Sequence, residues 1–305
     1  MRAIVIGYGS IGQRHVRLLQ SLNIETAVVS QRKVDFPTVF SNIAEAINIF
    51  NPQYIVISNK TNEHFETVAY LLSNHWSGKT LVEKPLFHRN ITTALDPAAT
   101  EIFVGYNLRF HPILQKLKQD LSGKKIVSVM VYTGQYLPSW RPERDYTLSY
   151  SARQEEGGGV LRDLSHELDY ITWLFGDWVR LCAIGGHFSS LSISGADTVG
   201  VIMETQKSPL IQLQINYLDH LGRRELIVVT DECTYKADLV SGTYHCNGES
   251  ELFRVNRDFT YLEQHKAVIN NEFSNLCSFT QGIDIVQMID YIEESVRIRG
   301  WVDNV

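Results

Sequence analysis

The chain has little that would tie it to an oxidising compartment, a membrane or a nucleic acid. Only four cysteines occur in 305 residues, Cys182, Cys233, Cys246 and Cys277, and none stands in a CxxC or other zinc spacing. So few thiols, so spaced, read as reduced cysteines of a cytoplasmic protein without a metal site. The adjacent His245 and Cys246 do not by themselves make one. No apolar run approaches the roughly 18 residues that span a bilayer. The first apolar run ends in a glycine turn too early for a signal peptide. A basic excess is missing too: 28 Lys and Arg against 34 Asp and Glu leave a net charge of −6. That argues against a nucleic acid or an anionic membrane as partner. There is no internal repeat and no low-complexity tract. What remains is an ordinary globular composition, 44% hydrophobic and 20% charged, in a chain long enough for two domains.

What is present begins at residue 3. AIVIGYGSIGQRHVRLL joins a buried-strand run to a helical pattern through Gly7-Tyr8-Gly9-Ser10-Ile11-Gly12. A bare GxGxxG says little; between a strand and a helix it is a dinucleotide-binding signature. Gly7 permits the turn, Gly9 lets the backbone approach a pyrophosphate, and Gly12 lets helix and strand pack closely. The helix start adds N–H groups and partial positive charge for the phosphates, with Ser10 and Ile11 at that start. The plainer reading is a βα turn without ligand. After the second strand, where an NAD site usually carries an acid for the ribose hydroxyl, the chain offers Ser30-Gln31-Arg32-Lys33. A carboxylate would repel a 2′-phosphate, whereas Ser30 and Arg32 suit one. The expectation is NADP(H) in preference to NAD(H), the alternative being a solvated turn.

Strand and helix patterns continue to alternate: a helix over 41–50 capped by Ser41, a strand over 53–58, a helix over 64–72, and strands over 79–82 and 102–105. Such repeats predict a doubly wound parallel sheet, with ligands beyond the carboxyl ends of its strands. Lys84 and Arg109 lie just beyond two such ends. Residues 1–112 therefore read as a Rossmann domain. Residues 113–305 change texture. A helix over 113–121 precedes β-rich runs at 126–133, 181–188, 198–204, 210–217 and 225–229, and helices follow over 261–277 and 283–296. This predicts an α/β domain with an open, mostly antiparallel sheet.

Between them lies GGGVLRDLSHELDY (157–170). Read as one helix, Val160, Leu161, Leu164, Leu168, Ile171 and Phe175 fill an arc about 100° wide. Asp163, His166 and Tyr170 share a stripe about 60° wide on another side. The glycines remove side chains where something approaches the backbone, or supply unusual dihedrals. His166 is either a structural histidine paired with Asp163 or an acid–base group.

GYGSIGQRH (7–15), NKTNEH (59–64), EKP (83–85), GYNLRFHP (105–112) and GGGVLRDLSHELDY together resemble the glucose–fructose oxidoreductase, inositol dehydrogenase and rhizopine-catabolism (Gfo/Idh/MocA) family, over residues 1 to about 175. The resemblance implies NAD(P)-dependent oxidation or reduction of a carbohydrate hydroxyl or ketone, and a second domain used for substrate binding and for forming a dimer or tetramer. It places the functional lysine on Lys84 and the paired acid and histidine on Asp163 and His166. Here the acid and histidine are three positions apart where most members have four. Asn59, His64, Glu83 and Lys84 join Gly7, Gly9, Ser10, Ile11, Gly12, Ser30 and Arg32 as expected cofactor contacts. The segment 139–159 is similar to a branch associated with cell-surface sugars. Trp140, Tyr146 and Tyr150 suit a sugar ring, and Arg141 or Arg153 a carboxylate or phosphate. Arg109, Trp140, Arg141, Tyr146 and Tyr170 are the expected substrate contacts. On this reading His166 exchanges the alcohol proton, Asp163 orients it and Lys84 stabilises alkoxide charge, or carries the proton itself. Two other readings keep the fold: a tightly held cofactor recycled within a dehydratase or epimerase reaction, and a sensor of NADP(H) without turnover.

Overall fold

The computed structural model describes residues 1–91, 95–97 and 100–304. The chain divides into two compact units, Met1–Asn107 with Asp258–Val286, and Leu108–Arg257 with Gln287–Val305. The first unit opens with β1 (Arg2–Ile6), α1 (Ser10–Ser21), β2 (Glu25–Val29), β3 (Val39–Phe40), α2 (Ile43–Phe50), β4 (Tyr54–Ile57), α3 (His64–Ser73), β5 (Lys79–Val82) and β6 (Ile102–Val104). All six strands run parallel, in the order β6-β5-β4-β1-β2-β3. The central strands are apolar where both sheet faces are covered; Ala3, Ile4, Val5 and all of β4 are fully buried. The cap of α2 is Asn42, not Ser41. The Asn42 side-chain Oδ1 accepts from the Glu45 N–H at 2.9 Å, while the Ser41 hydroxyl lies near the Glu45 carboxylate.

The second unit starts with α4 (Pro112–Asp120) and β7 (Ile126–Gly134), then runs through short 3₁₀ turns to α5 (Val160–Asp163) and α6 (His166–Phe175). Seven strands follow: β8 (Trp178–Gly186), β9 (Thr198–Thr205), β10 (Ile211–Asn216), β11 (Arg223–Thr230), β12 (Thr234–Asp238), β13 (Thr243–Cys246) and β14 (Glu249–Leu252). The chain ends through α7 (Phe259–Asn270), β15 (Cys277–Ser278), α8 (Phe279–Ile298) and β16 (Trp301–Asp303). The second sheet has nine strands in the order β14-β13-β12-β11-β7-β10-β9-β8-β16, antiparallel except between β7 and β10. One face alternates into the core. On the other, Met130, Ile202 and Trp301 lie in one cross-strand row and are about half exposed.

Two sequence expectations change here. The helix expected over 261–277 stops at Asn270, because Asn271 turns left-handed (φ 64°) and ends it. The freed residues Cys277 and Ser278 pair antiparallel with Val104 and Phe103 of β6. The segment 258–286 thus belongs with the first unit, whereas the division drawn from sequence gave it to the second. Its anchors are Asp258, which pairs with Arg14 and Arg17 of α1, and Thr260, which accepts from the Asn107 amide at 2.7 Å.

The start of α4 is sensitive to acid. Buried His111 caps it, its Nδ1 accepting from the Ile113 N–H at 3.3 Å. Burial and the nearby Arg224 charge push its pKa down to about 4. A histidine whose folded value is depressed lends stability above its unfolded value, and loses it as pH falls toward the folded one. Between pH 6.5 and 4, His111 is expected to cost about 3 kcal/mol. Urea midpoints across that range should fall in the wild type and fall less in His111→Asn, whose amide oxygen keeps the cap without titrating.

Candidate functional site

The turn after β1 is a tight glycine turn. Gly7 has φ +91° and packs on β4's exit: a Cβ there would lie 2.6 Å from the Asn59 nitrogen. A Cβ on Gly12 would sit 2.0 Å from the Gly7 carbonyl oxygen. These two glycines let α1 close on the strand. Gly9 differs, since nothing lies within 4 Å of where its Cβ would be. It stands at the helix cap, where it has no side chain to satisfy the first-turn N–H groups. The open approach to Gly9 fits a diphosphate in physical terms, and Ser10 and Ile11 begin the helix beside it.

Ser30 and Arg32 close on one another. The Ser30 hydroxyl donates to the Arg32 carbonyl and accepts the Arg32 N–H, both at 3.1 Å. The Ser30 oxygen thus shapes the turn that presents the exposed Arg32 side chain.

At the end of β5 the Glu83-Lys84-Pro85 loop is gripped from both sides. Glu83 accepts from His15 Nε2 at 2.8 Å and from the Lys84 N–H at 3.3 Å. Burial alone would raise its pKa, but the hydrogen bond from His15 and the adjacent Lys84 charge hold it below the usual value. On the far side His64 Nδ1–H donates to the Pro85 and Leu86 carbonyls at 3.2 and 3.1 Å. Burial keeps that ring neutral by lowering its pKa. His64 was expected to touch the cofactor; its ring is instead buried against this loop, so its part is to place Lys84's neighbours. Asn59 likewise spends its amide on the Thr67 hydroxyl at 3.1 Å.

In the second unit the single helix expected through 160–175 is interrupted. Leu164 leaves helical geometry (φ −101°, ψ 28°), so Asp163 ends α5 and His166 begins α6. His166 and Tyr170 still share a face of α6, one turn apart, while Asp163 lies on α5 before the break. Asp163 accepts the Tyr217 hydroxyl at 2.7 Å and also bonds Tyr150. Burial and the Asp163 charge push the Tyr217 pKa well up, so that phenol stays a donor. Trp140 packs edge-on against Tyr217 with centroids 5.5 Å apart, and Tyr146 accepts the Ser192 N–H at 3.0 Å. Arg141 is exposed in the same segment. Asp163, Tyr217, Tyr150 and Trp140 thus make one polar and aromatic cluster.

Two expected substrate contacts are corrected. Tyr170 is fully buried, and burial with the Glu167 charge raises its pKa; it offers no surface to a ligand. Arg109 is 2% exposed and grips Asp169 with both Nε and Nη2, the shortest contact being 2.7 Å. Its charge is consumed inside the unit. Both faces of α6 are buried, which the amphipathic reading missed; Glu167 is paired there with Arg224 at 2.8 Å.

The glycine run also finds its reason. Gly157 and Gly159 have φ of +87° and +104°, and a Cβ on Gly158 would lie 2.1 Å from the Tyr150 carbonyl. What approaches these glycines is the chain's own 150–153 turn. Gly158 and Gly159 border a cavity of about 190 Å³ completed by Arg162, Gly185, Gly195 and Glu293. Sequence reasoning named neither Tyr217 nor His265 as functional. Tyr217 follows an ordinary strand, and His265 sits in a helix far along the chain, so neither carried a local signal. Among the described residues no group of three or more His, Cys, Asp or Glu is placed to hold a metal ion.

Residues 114–236 match the GFO/IDH/MocA C-terminal domain. An uncharacterized oxidoreductase of Synechocystis sp. is 24% identical over 240 residues, covering 72% of this chain and 63% of its own length. The chain therefore spans less than two thirds of that relative. Among solved structures, a levoglucosan dehydrogenase in complex with NADH superimposes with a TM-score of 0.84 at 14% identity, over 99% of this chain and 98% of its own. The WlbA dehydrogenase from Bordetella pertussis, in complex with NADH and UDP-GlcNAcA, gives 0.84 at 15% identity over 100% and 98%. The parallel first sheet and the open second sheet accompany this match, and residues 114–236 are similar to the C-terminal domain of the Gfo/Idh/MocA family.

Proposed function

We propose that the protein is an NAD(P)-dependent oxidoreductase acting on a hydroxyl or ketone carbon of a sugar, sugar nucleotide or sugar acid, in the making of cell-surface carbohydrate. The observation that carries this is the open cradle at Gly9, set between two glycines that cannot bear a side chain, in the same unit as the Lys84 loop. The complexes of the levoglucosan and WlbA dehydrogenases, with NADH and with NADH and UDP-GlcNAcA, support the cofactor and substrate class. Bound nicotinamide supplies the hydride chemistry. Gly7, Gly9, Ser10, Ile11 and Gly12 hold the diphosphate through backbone N–H groups. His166 exchanges the alcohol proton, Lys84 stabilises developing alkoxide charge, and Asp163 sets donors around the substrate through Tyr217 and Tyr150. Trp140, Arg141 and Tyr146 border the sugar. The half-exposed apolar row of the second sheet is the face through which copies of the chain pair, in a dimer or tetramer in the cytoplasm.

The preferred cofactor is NADP(H), because the turn after β2 presents Arg32 ahead of any carboxylate, the first being Asp35 further along. Titrating the protein with NADPH and NADH by nicotinamide fluorescence tests both claims. NADPH should bind more tightly. Arg32→Ala should weaken it roughly 10- to 100-fold, as loss of a charge-assisted hydrogen bond does, and leave NADH unchanged. Tighter NADH binding removes the preference; no binding of either removes the reading.

A further inference from the structure

An unbroken line of hydrogen bonds runs through the interior of the first unit. Glu83 Oε1 meets His15 Nε2 at 2.8 Å, His15 Nδ1 meets His265 Nε2 at 2.9 Å, and His265 Nδ1 meets the Tyr54 hydroxyl at 3.0 Å. His15, His265 and Tyr54 have no solvent exposure and Glu83 has 8%. None of the four belongs to the phosphate cradle, and His265 is supplied by α7, the segment that returns to this unit late in the chain.

The partners dictate where the protons sit. A carboxylate only accepts, so the Glu83 contact places a proton on His15 Nε2. If His15 is neutral, its Nδ1 must then accept, and His265 must donate from Nε2. That leaves His265 Nδ1 as an acceptor for the Tyr54 O–H. Each group donates once in the same direction, toward Glu83, and no buried polar atom in the line is left over. Burial lowers the His265 pKa well below its usual value and raises that of Tyr54, which keeps both neutral.

We propose that His265 is a positioning residue for Lys84: it fixes the proton of His15, and His15 in turn holds the Glu83 carboxylate against the Lys84 backbone. Glu83 has one slot to occupy. A Cβ on Gly105 would lie 3.2 Å from its Cα and 3.3 Å from its carboxyl group, so the side chain is enclosed by β6 on that side and by His15 on the other. Its second oxygen takes the Lys84 N–H. A turned His15 ring releases Glu83, and the residue that follows Glu83 loses its place. The proposal rests on the reading that this unit binds a nicotinamide dinucleotide beside Lys84.

The test is ¹⁵N NMR of the imidazole rings of the full chain, with coenzyme titration of His265→Phe, His265→Gln and Tyr54→Phe. In the wild type His15 and His265 are expected as neutral Nε2–H tautomers. His265→Phe should leave His15 without its Nδ1 partner, change its ring shifts, and weaken NADPH binding about tenfold, the worth of one buried hydrogen bond, with the far-ultraviolet circular dichroism retained. His265→Gln, whose amide can donate to His15 Nδ1, should restore both. Tyr54→Phe removes the far end without touching His15 and should shift only the His265 ring. A wild-type His15 that is a cation or an Nδ1–H tautomer overturns the proposal, and needs no variant to fold. So does NADPH binding to His265→Phe at wild-type strength. Failure of the wild type to bind either coenzyme strikes the functional reading and leaves the tautomer result standing.

Discussion

Lys84→Ala is expected to slow turnover by roughly 10²–10³-fold while coenzyme still binds, the loss seen when a group that stabilises developing charge is removed. Lys84 follows Glu83, whose carboxylate is held by His15 and the Lys84 N–H, in a loop fastened on its other side by His64. A lysine so mounted has its backbone fixed at the end of β5. His166→Ala should cost roughly 10²–10⁴-fold as loss of a general acid–base group, and should remove one limb of the pH–rate profile. Single-turnover measurements at the nicotinamide absorbance band separate these losses from binding. An unchanged rate and profile in His166→Ala would transfer the proton to Lys84. An unchanged rate in Lys84→Ala would remove the lysine from the chemistry.

The second large effect concerns stability. Arg109 and Asp169 meet in the second unit with side chains 2% and 1% exposed. Arg109 also lies 5.9 Å from the Trp173 ring, whose face is shared by Lys118 at 3.8 Å. Burial and the Arg109 charge already lower the Lys118 pKa to about 8. Asp169→Ala would therefore leave two cations around one indole with no anion between them. A cost of about 3–5 kcal/mol is expected, that of removing one partner from a buried pair. The double variant Arg109→Met with Asp169→Leu should recover most of it, because it removes the buried charges together. Urea midpoints of the three proteins decide the matter. A loss under about 1 kcal/mol for Asp169→Ala would mean that the pair carries no such weight.

These two sites differ in how far the residues announced them. The tight glycine turn after β1 was legible because its glycines answer to local geometry: a positive φ at Gly7 and backbone contact at Gly12 leave a mark at fixed spacing. Strand β5 could be placed to the residue because it is a short apolar run ending in a charged loop. Arg109 and Tyr170 were misjudged because polar character on a helix or after a strand suggests a surface. Here each is buried and, for Arg109, matched by an acid sixty residues away. Pairing over such distances leaves no periodicity to find. The break at Leu164 left no mark in the apolar pattern, because the spacing on its two sides fits one helix as well as two. The bond from Tyr217 to Asp163 left no local mark either, since the contact crosses from a helix end to a strand end.

The late return of α7 and β15 sets a schedule for synthesis. A ribosome releases β1 to β6 before any strand of the second sheet, and only much later the two residues that pair with β6. During that interval the outer edge of β6 bears unsatisfied N–H and C=O groups, the kind of edge on which nascent chains stick to one another. His15 meanwhile waits for a partner not yet translated. Proteolytic trimming after residue 257 would recreate the same vulnerable intermediate, so an amino-terminal fragment cut at the apparent domain boundary should precipitate where the intact polypeptide does not.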